Sequence, residues 1–253
     1  MKKASRTISA EERKFLAEYD VSRFERPSLT VDVALLTADQ GQLKAMLIKR
    51  QEHPFRGHWG LPGGFVRLDE SLDDAAARVM AAKAGAKKNV FLEQLYTFGE
   101  PDRDPRTRVI TVAYYALIDR QQLARDWQGT DTVQLAVLRV PWAGERGGPV
   151  EAINELGQSL PLAFDHGEIL GLVVKRLRGK LAYAPLGFEL LPPRFTLRDL
   201  QDIHETILGR RLNKDSFRRR MLTSGLIAAT GKREDDVGHR PAELYRFTSK
   251  PVR

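Results

Sequence analysis

Cysteine is absent from the 253 residues, which excludes disulfides and thiolate metal sites and suits a cytoplasmic protein. Long apolar runs are missing too, and none approaches the roughly 20 residues that a membrane-spanning helix needs. No membrane partner is therefore expected. The opening MKKASRTISAEERKF lacks the apolar core of a secretory signal. Negative charge is also in short supply, since the formal net charge is +8. What remains is ordinary for a soluble chain, with 42% hydrophobic and 29% charged residues, at a length that suits two modest domains.

The excess charge is unevenly placed. From Phe195 to Arg253 there are 13 Lys/Arg against 8 Asp/Glu, an imbalance that points to a polyanionic partner for this part of the chain.

The stretch from Gly63 to Gly85, GGFVRLDESLDDAAARVMAAKAG, reads as a glycine loop entering a helix over 72–84. Two adjacent glycines permit a tight turn and close approach to a ligand. Ser71 suits the N-cap, Asp73 and Asp74 suit the positive end of the helix dipole, and Gly85 suits the stop. Before it, a capping-box pattern from Ser9 to Glu12 predicts a short helix over 9–18, a candidate for dimer packing. Leu29–Leu36 and Leu43–Ile48 then read as a hairpin that leads to Lys49 and Arg50, placed to meet an anion.

After the loop and helix, strands are predicted over 89–98, 108–118 and 132–140, and an amphipathic helix over 164–178. The connection GEPDRDPRTR carries Arg103, Arg106 and Arg108, which suit a diphosphate. Such alternation fits an α/β/α sandwich with a mixed sheet.

The Pro192-Pro193 pair lies in a boundary region that begins near residue 185. Beyond it, Thr196 with Asp199 caps a helix that Gly209 ends, and Asn213 caps a second helix through Leu222. The second helix carries Lys214, Ser216, Arg218, Arg219 and Arg220 around an apolar pair, Phe217 and Met221. Residues 226–230 and 244–247 read as wing strands. Lys232, Arg233 and Arg240 stand in the basic loop between them, offset by Glu234, Asp235 and Asp236. This is a winged helix-turn-helix pattern, and the overall class is α+β.

Around Gly63 the chain resembles the Nudix family. Gly64, Glu70, Arg78, Met80, Gly85 and Ala86 fall where the Nudix box wants them, with His58 to Phe65 leading in. Three glutamates of that box are replaced by Val79, Ala82 and Lys83, so the magnesium ligands of a hydrolase are missing and no catalytic residue or cofactor is expected. The combination resembles the Nudix-related transcriptional regulators of bacterial NAD metabolism. That resemblance implies three regions: an N-terminal extension over 1–24, a Nudix-like effector domain over 25–184 and a DNA-binding domain over 185–253. It further implies a homodimer on a palindromic operator in double-stranded DNA, a repressor, and ADP-ribose or a related nucleotide as effector.

Arg50, Gly63, Gly64, Arg78 and Arg108 are the candidates for the diphosphate or for the loop that holds it. Trp59, Phe65 and Tyr114 are candidates for base or ribose contact, and Glu70 is the surviving box acid. The alternative reading is an active hydrolase that draws metal ligands from outside the box, such as Glu93 or Asp102. An RNA-binding role for the winged helix is a third.

Overall fold

Two long strands set the frame. β1 (Ser28–Asp39) and β2 (Gln42–Lys49) pair antiparallel in the expected hairpin, which turns at Gln40 and Gly41 with φ of 51° and 73°. A two-residue loop with both φ positive matches the twist of the strands it joins. The computed structural model describes residues 8–84, 90–126, 131–235, 238 and 240–248. Gly85 and Ala86 of the box, the predicted strand start at Asn89 and Asp236 of the wing loop lie outside these.

β6 (Val109–Leu117) runs parallel to β1, and β5 (Phe91–Phe98) runs antiparallel to β6. On the far side of β2 come β7 (Val133–Arg139), β8 (Glu151–Ile153) and β9 (Ser159–Leu160), so the sheet is mixed. Sequence periodicity missed the two short outer strands. It also missed β3 (Trp59–Gly60), which pairs with β2, and β4 (Gly63–Phe65), which pairs with β1. The glycine pair thus lies in a strand and has no left-handed φ.

Alternation along β1 sends Val31, Val33 and Leu35 to one face and Ala34, Leu36 and Ala38 to the other. The first face is covered by α2 (Leu72–Ala84), through Ala75, Ala76, Val79 and Met80, and by Leu123 of α3 (Arg120–Asp126). Ser71 caps α2 as expected, with Asp74 N–H donating to its Oγ at 3.1 Å. The second face is covered by α4 (His166–Lys180), through Ile169, Leu170, Val173, Val174 and Leu177. Phe164, expected inside this helix, stands before it with φ of 52°. The first helix, α1 (Ala10–Glu18), follows its Ser9 cap and buries none of its residues.

In the C-terminal part, α5 (Leu197–Leu208) opens on the predicted capping box of Thr196 and Asp199 and closes at Gly209, φ 66°. Asn213 caps α6 (Lys214–Ser224), two residues longer than predicted. The hairpin β10 (Ile227–Arg233) and β11 (Glu243–Phe247) follows. Phe195 and Tyr245 exchange two backbone hydrogen bonds, of 3.1 and 2.8 Å, which ties the entrance of α5 to the wing.

One apolar core runs from under α4 through Leu186, Phe188 and Leu190 to Leu200 and Ile203 of α5. Arg178 on α4 crosses this seam. Its Nε donates to Ile207 O at 2.9 Å, and Nη1 donates to Gly144 O at 2.9 Å and Trp142 O at 3.3 Å. It is buried with no carboxylate within 4 Å among the described residues, and desolvation lowers its pKa. Its charge is met by carbonyls, including one at the negative end of α5. Arg178→Met keeps the stem and strands these carbonyls, each worth about 1–3 kcal/mol if left unsatisfied. A loss of about 2–4 kcal/mol is expected in urea unfolding. A loss much below 1 kcal/mol would show that water serves these carbonyls equally well.

Candidate functional site

A cleft of about 450 Å³ opens where the start of β1, the end of β2, β3 and β4 meet the last turn of α2 and the entrance of α4. Its floor is set by a close approach. Asp32 is the one charged residue in the buried run from Val31 to Ala38, and a β-carbon on Gly63 would stand 2.0 Å from its Oδ1. Glycine is required here for space rather than for a left-handed turn.

His166, fully buried, accepts a hydrogen bond from Leu61 N–H on Nδ1 at 2.9 Å, which leaves the proton on Nε2, 3.8 Å from Asp32 Oδ1. Burial pushes its pKa down, so the ring is held neutral against the pull of Asp32 and Asp165. Arg103 grips Asp165 with two hydrogen bonds, of 2.8 and 2.7 Å, and its side chain is only 4% exposed. The expected diphosphate arginine is thus occupied in tying its loop to α4. Arg106 is likewise engaged with Asp104, at 3.0 and 2.7 Å.

Three cations of the cleft are not so occupied: exposed Lys49, which lies 5.9 Å from the Trp59 ring centre, Arg50 and Lys83. Among the described residues neither Arg50 nor Lys83 has a carboxylate within 4 Å. Arg50 Nε donates to Pro54 O at 2.7 Å and its guanidinium lies 4.7 Å from the Phe164 ring centre. Lys83 Nζ donates to Gly63 O at 2.5 Å. Desolvation lowers the pKa of Lys83, the charge of Asp32 opposes this, and the charges of Arg50 and Arg78 add to the lowering.

Of the predicted effector residues, Arg50, Gly63, Gly64 and Phe65 line this cleft. Glu70 and Arg78 do not. Arg78 Nε donates to Glu70 at 2.8 Å and Nη2 to Phe65 O at 3.0 Å, while Glu70 accepts from Arg67 N–H at 2.9 Å. They fasten the loop to the helix, and the bond from Arg78 holds Glu70 down to about 2.

Trp59 packs into the main core, with its neighbour Gly60 facing the cleft instead. Tyr114 lies on the α2 face of β6, where its hydroxyl donates to Asp73 at 2.7 Å and burial raises its pKa. Strand alternation turns both rings away from the cleft. Arg108 is exposed just outside it. Sequence reading missed Asp32, Phe164 and His166 and treated Lys83 only as a lost ligand. The usable signal was a lone acid inside an apolar strand.

A Nudix hydrolase's magnesium does not fit these residues. Val79 is buried in the second core, Ala82 offers no ligand atom, Lys83 is a cation, and Glu70 is engaged by Arg78. Among the described residues no group of three His, Asp or Glu is arranged to hold a metal. Glu93 is paired with Lys180 and Arg176 beside α4, and Asp102 is exposed. Neither lines the cleft.

On the winged helix, Phe217 and Met221 are buried, while Lys214, Ser216, Arg218, Arg219 and Arg220 are exposed. Among the described residues none of those four cations has a carboxylate partner within 4 Å, though Arg220 leans over the Phe217 ring at 5.4 Å. Arg211, by contrast, is paired with Glu205 at 2.8 Å. Lys232, Arg233 and Arg240 are exposed at the wing, with Arg233 donating to Pro241 O at 3.2 Å. Arg246 is exposed on β11 as well, and alternation with buried Tyr245 was the signal that could have found it.

Fold and charge together define a Nudix-fold domain joined to a winged helix with an unpaired basic helix. Residues 26–146 match the family model of the NUDIX domain, and residues 187–247 match that of the NrtR DNA-binding winged helix domain. The chain is 40% identical over 238 residues to the ADPR responsive transcriptional repressor NtrR of Acinetobacter baylyi, covering 93% of this chain and 88% of that one. It is similar to Shewanella oneidensis NrtR, solved in complex with a 27mer DNA, at TM-score 0.71 and 36% identity over 87% of this chain and 93% of that chain. A MutT/nudix family protein from Enterococcus faecalis matches at TM-score 0.76 and 28% identity, over 96% of this chain and 95% of its own. The chain therefore belongs to the NrtR family of Nudix-related winged-helix transcriptional regulators.

A second buried histidine ties the winged helix to pH. His204 on α5 packs edge-on against Phe217 at 5.0 Å, and burial, with a smaller push from Arg220, lowers its pKa to about 4. The unfolded chain takes up this proton near pH 6.5 and the folded one does not, so stability should fall as pH drops from about 6.5 towards 4. The loss is at most about 3 kcal/mol, and His166 acts in the same sense. His204→Phe should flatten unfolding free energy against pH across this window. An unchanged slope would show that His204 takes up its proton as readily in the folded protein as in the unfolded chain.

Proposed function

We propose that this chain is a transcriptional repressor of NAD metabolism genes that holds a palindromic operator as a homodimer. It releases the operator when ADP-ribose, or a related NAD-derived nucleotide, occupies the cleft of a Nudix domain that no longer hydrolyses its ligand. The observation that carries this reading is the joining, in one chain, of a cleft with unpaired Arg50 and Lys83 in place of metal carboxylates to an exposed helix with unpaired cations. Two anion sites of different size are on offer. A cleft suits a nucleotide, and a protruding helix suits a groove.

Ser216 and Arg219, opposite buried Phe217 and Met221, face the major groove, with Lys214, Arg218 and Arg220 on the flanks and Lys232, Arg233 and Arg240 at the wing. Phe65 and Phe164, the aromatic rings lining the cleft, replace Trp59 and Tyr114 as candidates to meet the base or ribose. Phe15, Leu16, Tyr19, Val21 and Phe24 are all exposed on α1 and the turn after it, which supports a second copy packing there.

Communication runs through α4. Its first residue, His166, stands in the cleft, and Arg178 near its other end holds the last turn of α5. A rod of about 22 Å thus joins the two sites. The ligand releases DNA to the extent that it binds the non-operator geometry more tightly.

Fluorescence anisotropy on the DNA upstream of its own gene, at fixed salt, tests this. Selective binding of an inverted repeat, weakened by ADP-ribose, is expected. Arg219→Ala should cost about 1–3 kcal/mol and relax base preference at one position in each half-site. Turnover of ADP-ribose in magnesium, or equal affinity for folded RNA, would overturn the reading.

A further inference from the structure

We propose that Lys83 is a built-in replacement for the divalent cation of the Nudix fold: its ammonium, together with the Arg50 guanidinium, takes the diphosphate of the effector without any metal. This rests on the reading above that the cleft binds a nucleotide diphosphate, and it assigns the group that does so.

Lys83 stands at the position of one of the box glutamates, and the helix that carries it enters the cleft at its last turn. Its Nζ is anchored on Gly63 O at 2.5 Å. Gly63 in turn lies against Asp32, so the ammonium sits over the innermost acid of the cleft. A lysine with one carbonyl partner keeps two further N–H donors. Arg50, through Nε on Pro54 O, likewise keeps its terminal nitrogens free of any protein hydrogen bond among the described residues.

The charges match. A diphosphate diester carries two negative charges at neutral pH, and among the described residues the cleft presents Arg50 and Lys83, with exposed Lys49 beside them, without carboxylate partners. Arg103 and Arg106, which sequence pattern made equally attractive, are neutralised by Asp165 and Asp104.

The exchange also explains recognition without cleavage. A metal ion both neutralises a diphosphate and lowers the pKa of the water that attacks it. An ammonium group does the first and not the second.

Isothermal titration of the full-length protein with ADP-ribose tests this, in chelator and then in magnesium. Wild type should bind equally well in both. Lys83→Ala and Lys83→Met, the latter keeping the stem, should weaken binding about tenfold to a hundredfold, the value of a charged hydrogen bond. Lys83→Arg should recover part of it, with thermal melts unchanged throughout. Wild-type affinity in both Ala and Met variants, or wild-type binding abolished by chelator, would overturn the assignment while leaving the effector reading in place. Failure of wild type to bind ADP-ribose in either buffer would overturn both.

Discussion

Burial of β1 on both faces is the constraint on which the molecule rests. From Val31 to Ala38 every residue is buried, so helices must cover both sides of the sheet and the strand reads as an apolar run. Asp32 breaks that run. A charge there is tolerable only near water and counter-charges, and the chain supplies both by ending the sheet's cover at this point. His166, Arg103 and Gly63 gather round the acid, and the gap between them is the cleft. Site and fold thus share one cause, because the same strand that runs through the core carries the residue that opens it.

The seam to the winged helix obeys the opposite logic. Here the core continues without interruption, and Arg178 is the polar group carried inward, met by carbonyls and by the Trp142 ring at 4.8 Å. A guanidinium between carbonyls from two elements has little freedom to tilt, since moving α4 against α5 would strand donor and acceptors together. A larger groove of about 950 Å³ follows this seam between the β1–β2 turn and α5. Several of its charges are paired locally, such as Arg198 with Asp202 and Arg120 with Asp39, so it fits a joint between elements better than a ligand site. A stiff helix, a packed seam and a clamped last turn suit coupling by rigid-body movement.

Local signals made much of this legible. The hairpin, α2 with its Ser71 cap, the Thr196–Asp199 capping box and the glycine stop at Gly209 all depend on residues within a few positions of one another. The cleft was only half legible because its geometry is non-local. His166 meets Leu61 across 105 positions, and Arg103 meets Asp165 across 62. Tyr114 and Tyr115 look alike in sequence, yet alternation sends them to opposite faces of the sheet, with Tyr114 under α2. The Gly63-Gly64 pair was legible as a place of close approach but not as a strand. Its partner there is the backbone of β1, and nothing local announces that pairing.

In the proposed reading, a Nudix cleft serves as a sensor by separating binding from catalysis. Catalysis requires interactions that strengthen as charge develops in the transition state, whereas sensing requires only that the ground state be held. Losing the carboxylates at positions 79, 82 and 83 removes the first kind of interaction. A neutral side chain at position 83 would weaken the second, since the diphosphate would then meet Asp32 with Arg50 and Arg103 to offset it. A cation at position 83 preserves the charge that the anion needs and cannot generate a nucleophile. Val79 meanwhile adds its side chain to the core between α2 and the sheet, whereas Ala82 is exposed. In the proposed reading the three positions divide the work: Lys83 keeps a charge for the ligand, Val79 exchanges polarity for packing, and exposed Ala82 offers no metal ligand.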